Sequence, residues 1–227
     1  MATSMALQKI APPKSVFFLM YVPVVLVFAL IIAIKYKTGL RTIYFINDPV
    51  TTMRAPNYVG LVSNLGVLLW CAAAAVCLFT AAIMPREAKE DRRFYLCSGL
   101  LTSLFLFDDF FLLHEQVWIW LLRLSDRKVA VIYTMILVAY LFRFQKKIMR
   151  TEFVLLVLAM GFLYFSFAWD FVNERMDIVI PEDAWLWRDW LNDGLLEDGP
   201  KSFGIVTWFT YFVRTGAAEF KTSLRRP

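Results

Sequence analysis

Residues 104–116 read LFLFDDFFLLHEQ and hold the chemistry that is hardest to dismiss. Two adjacent carboxylates, Asp108 and Asp109, sit among phenylalanines and leucines, followed by the chain's one histidine, His114, and by Glu115. A carboxylate at membrane depth costs about 3 kcal/mol on insertion scales, so such groups face a bundle interior or a wet cavity. There they bind a cation, relay protons, ligate a hard metal ion or pair with a cationic side chain. Oxygen-rich, nitrogen-poor surroundings favour Ca²⁺, Mg²⁺ or Mn²⁺ among metals, with Asp108, Asp170 and Glu115 as candidate ligands.

One straight helix cannot assemble this site. At about 100° per residue, Asp108 and Glu115 share a stripe, whereas Asp109 and His114 fall on its two flanks. Other helices have to complete it, and the apolar runs say where they are. The chain has 227 residues, of which 59% are hydrophobic, and a mean hydropathy of +0.58. Those values exceed what a soluble domain carries. The runs predict an all-α, polytopic membrane bundle forming a single domain of about six spans, near 16–34, 58–84, 94–122, 129–145, 153–172 and 202–220. Pro23 is expected to kink the first span. That span is too long for a signal-peptide core and has no small-residue cleavage site after it, so it reads as a retained helix. Gly60, Ser63 and Gly66 allow close helix approach at the start of the second. Trp185, Trp187 and Trp190 predict a short helix lying in the headgroup layer over 183–192.

With six spans both termini share a side. Lys and Arg are more numerous in the leader, in 85–93, in 143–150 and at the C-terminal end than in the opposite loops, which orients both termini to the cytoplasm. In that topology, segments distant in sequence deliver polar groups to the outer layer. Asn64 comes from the second span, Asp108 and Asp109 from the third, and Asp170 and Glu174 from the fifth, on a face shared with Ser166, Asn173 and Asp177. Glu197 and Lys201 open the sixth. Asp108 and Asp170 are expected in one shared pocket, with Lys201 as the charge partner where no metal binds. Asp177, Glu182, Asp183 and Asp193 read as solvated loop charges, Asp198 as a helix cap with Pro200 at the first helical position, and Arg214 as a snorkelling anchor.

Several chemistries are excluded. His114 and Glu115 begin like a zinc-protease helix, but Trp118 stands where the second histidine belongs. A lone histidine also fails the di-iron and multi-imidazole copper patterns. Cys71, Cys77 and Cys97 form no CxxC. The net charge of +5 is spread over short inter-helix loops, which suits the bilayer and excludes a nucleic-acid face. Three functions stay open: a site for a cation or small polar solute on a transport route, an accessory subunit of a larger membrane complex or a homo-oligomer, and a membrane-embedded metal-dependent enzyme using His114.

Overall fold

The structure, a computed structural model, describes residues 14–113, 117–118, 123, 126–176 and 195–224. Among these the chain is all α-helical. It divides into two compact units, Met1–Val59 and Gly60–Pro227.

The first unit holds α1 (Lys14–Thr38) and two short helices, α2 (Ile43–Ile46) and α3 (Pro49–Met53). The α1 helix continues through Pro23. It stops at Thr38 because Gly39 turns left-handed (φ +73°) and returns its N–H to Lys35 O at 2.8 Å, a geometry that costs glycine little. Pro49 opens α3, where its missing N–H is harmless, and Thr52 closes the turn with N–H and hydroxyl both on Asp48 O.

The second unit is a bundle of five long helices: α4 (Leu61–Ile83), α5 (Lys89–Phe111), α6 (Asp126–Ile148), α7 (Phe153–Met176) and α8 (Leu195–Leu224). Neighbouring pairs are α4 with α5, α4 with α8, α7 with α8, and α5 with α6. Small residues set the closest approaches. A Cβ on Gly99 of α5 would lie 2.6 Å from Leu78 Cδ2 of α4, and one on Gly204 of α8 would lie 2.7 Å from Leu163 Cγ of α7. Gly66, expected to admit a neighbour, faces Ile205 of α8.

Aromatic rings fill the interior where side chains bridge helices whose backbones stand further apart. Trp208 is fully buried, packs edge-on against Trp70 and Phe105, and donates its indole N–H to Thr102 Oγ1 at 3.1 Å. Phe94, Tyr140, Phe144 and Phe212 form a second cluster. Tyr140 is tied to Ser98 by a 2.7 Å hydrogen bond. The hydroxyl of Tyr95, also fully buried, has no partner among the described residues.

Among the described residues, four helices have segments long and apolar enough to cross a membrane: Tyr21–Thr38, Leu61–Ile83, Lys89–Phe111 and Lys128–Ile148. The apolar part of α7, Phe153–Trp169, is shorter. The 30 residues of α8 are diluted by Trp, Tyr and Thr and by Arg214 and Glu219. Two of the boundaries that differ from the sequence expectation bear on the acidic residues. The α5 helix ends at Phe111 instead of running on to residue 122, because Leu112 adopts a left-handed conformation (φ 51°) and caps onto Asp108 O. The α8 helix starts at Leu195 rather than near 202, so Asp198 is already helical and Pro200 lies inside. Residues 183–192, expected to lie along the headgroup layer, fall outside the described residues.

Candidate functional site

The end of α5 meets side chains from α4, α6 and α8 at the acidic end of the bundle. Successive residues on a helix point about 100° apart, so Asp108 and Asp109 serve different neighbours. Asp109 turns toward α4 and α8. Its Oδ1 lies 2.8 Å from Lys201 Nζ in the second turn of α8, and its Oδ2 accepts the Trp70 indole N–H at 2.8 Å. Each carboxylate oxygen thus has a strong donor. The side chain of Asp109 is 14% exposed and that of Lys201 35%, so the pair is sheltered on the carboxylate side and open on the ammonium side.

Asp108 turns toward α6. It is 8% exposed and accepts the Tyr133 hydroxyl on Oδ1 at 2.7 Å. Trp118 donates its indole N–H to the same Tyr133 oxygen at 3.0 Å. The relay runs indole to phenol to carboxylate, each donor strengthening the next. The phenyl ring of Phe105 packs against both Trp70 and Tyr133, separating the two carboxylate environments with apolar surface.

Residues 16–215 match a family model described as a domain of unknown function, DUF8692. The chain belongs to that family. No curated protein and no solved structure matches it. The DUF8692 match covers Trp70, Asp108, Asp109, Tyr133 and Lys201 together.

Of the residues singled out in the sequence, the structure brings Asp109 and Lys201 into contact and sets Asp108 beside them on the same turn of α5. Lys201, expected as the charge partner of a pocket shared by Asp108 and Asp170, lies 2.8 Å from Asp109. Asn64 is exposed in the first turn of α4, about 240° around the helix from Trp70. His114 and Glu115 lie outside the described residues, as do the side chains of Asp170, Asn173, Glu174 and Glu197. The backbone of Asp170 belongs to α7, whose main partner is α8. Among the described residues no group of three or more His, Cys, Asp or Glu is placed to hold a metal ion.

Two members of the site, Trp70 and Tyr133, were invisible to a search for charge. A signal existed: an indole or phenol within an apolar span carries one polar group that has to be satisfied when buried. Trp70 is 3% exposed and meets that need on Asp109.

Proposed function

We propose that this DUF8692 protein is a six-span membrane protein, both termini cytoplasmic, whose outward-facing acidic layer binds a cation or small cationic solute. Lys201 is the internal cation that holds the layer when no ligand is present. The carrying observation is the Asp109 carboxylate, with Lys201 Nζ at 2.8 Å on one oxygen and the Trp70 N–H at 2.8 Å on the other. Both contacts are donors, so the carboxylate oxygens present an acceptor site of the kind that cations seek. The ammonium is the more exposed partner, so it is the one a solute cation can displace. Six spans rather than four follow if α7 and α8 also cross. At about 1.5 Å per residue, the 30 residues of α8 reach about 45 Å, well over the hydrocarbon thickness. Equilibrium binding of radiolabelled sodium, calcium and tetraethylammonium to the purified protein tests the reading. Binding of one of them that Asp109→Asn removes supports it; no binding, or binding that survives the change, refutes it.

A second reading, an accessory subunit of a larger membrane complex, draws on α1. Its apolar window, Tyr21–Thr38, has no buried residue. In that case Asp109→Asn alters assembly and leaves cation binding untouched.

A further inference from the structure

At the opposite, basic end of the bundle, described carboxylates are consumed by neighbouring cations. Glu90 accepts from Arg93 at 3.1 Å and Arg143 at 2.9 Å. Asp91 and Glu219 share Lys147, at 2.7 and 3.0 Å. Glu152 takes the Arg214 guanidinium through both oxygens, and those hydrogen bonds hold its carboxyl below the usual carboxylate range. Glu87 is left exposed.

The cations are not consumed in the same way. Arg86, Lys89, Arg92, Lys146, Arg150 and Lys221 are all exposed, and their side chains have no ion-pair or hydrogen-bond partner among the described residues. The ion pairs gather three of them at one level: Lys146 adjoins Lys147, Arg92 adjoins Asp91, and Lys221 follows Glu219 by two residues. They stand where α5 and α6 reach the membrane surface, since a helix of 23 residues spans about 34 Å, slightly more than the hydrocarbon core.

We propose that this basic end is a binding surface for the phosphate headgroups of anionic lipids in the adjoining leaflet. Arginine forks and lysine ammoniums, unanswered by the protein's own acids, match phosphate oxygens in charge and in donor geometry. Like-charge repulsion excludes solute cations from this end, so the surface is distinct from the acidic end and does not depend on its reading.

Native mass spectrometry of the full chain in detergent, with phosphatidylglycerol and phosphatidylcholine of identical acyl chains, tests it. Phosphatidylglycerol should be retained in preference. In K146Q/R150Q its occupancy should fall roughly fivefold per residue removed, the factor for one basic side chain at an anionic surface. Raising salt on the unaltered protein should lower retention of phosphatidylglycerol alone, which keeps the test decisive if the variant fails to fold. Equal retention of both lipids, retention insensitive to salt, or displacement of phosphatidylglycerol by an equal concentration of inorganic phosphate would overturn the proposal.

Discussion

Lys201 of α8 and Asp109 of α5 are joined across the bundle by a 2.8 Å ion pair, and Trp70 of α4 holds the remaining carboxylate oxygen. Three helices are therefore fastened at one carboxylate. Its partial exposure puts the pair between two regimes, surface pairs worth under about 1 kcal/mol and buried pairs costing about 3–5 kcal/mol to break. A double-mutant cycle with Asp109→Asn and Lys201→Met, read by chemical unfolding in mixed micelles, should give a coupling of about 1–2 kcal/mol. Additive single effects would mean that the pair does not tie the helices.

Tyr133→Phe removes the hydroxyl from Asp108 Oδ1 and from the Trp118 indole in one step. Removing one partner of a buried polar group costs about 1–3 kcal/mol, so the variant should lose stability in that range. Trp118 fluorescence should change as its N–H loses its acceptor. Tyr133→Phe with unaltered unfolding and emission would remove the relay from the picture.

Two buried tyrosines should respond in opposite ways. The Tyr140 hydroxyl is bonded to Ser98 at 2.7 Å, whereas that of Tyr95 has no partner among the described residues. Tyr140→Phe should cost about 0.5–1.5 kcal/mol, and Tyr95→Phe should be neutral or stabilising, since it removes an unsatisfied buried group. A comparable loss in both would show that Tyr95 has an acceptor after all.

Gly99 separates close packing from helix propensity. A Cβ there meets Leu78 Cδ2 at 2.6 Å and the Leu78 backbone nitrogen at 3.2 Å, so Gly99→Ala should cost about 1–3 kcal/mol. At Gly161 of α7 a Cβ meets nothing within 4 Å, and Gly161→Ala should stabilise by up to about 1 kcal/mol. Thermal unfolding in one detergent compares them directly, and equal shifts would contradict the packing at Gly99.

The helical class and the apolar runs of α4 and α6 were legible because a long apolar stretch permits few alternatives. Asp109 and Lys201 were legible as residues that need partners because charge in such a setting must be answered. Their pairing was not: Asp108 and Asp109 are equivalent in sequence, and only packing decides which faces α8. The end of α5 was hidden too. Leu112 adopts a left-handed backbone that nothing about leucine announces. Trp70 and Tyr133 passed as apolar filling because hydropathy counts their rings and overlooks their single polar atoms. Pro200 signalled a helix start, yet α8 begins five residues earlier, at Leu195.

The most direct measurement is the acylation rate of Lys201 by a membrane-impermeant amine reagent, read by peptide mass spectrometry as cations are added to sealed vesicles. If solute cations compete with Lys201 for Asp109, the ammonium is released and its reactivity rises with cation concentration, from the outer side only. Asp109→Asn should make the rate insensitive to cations. A rate in the unaltered protein that sodium, calcium and tetraethylammonium leave unchanged, or labelling from the cytoplasmic side alone, would contradict the outward-facing cation site.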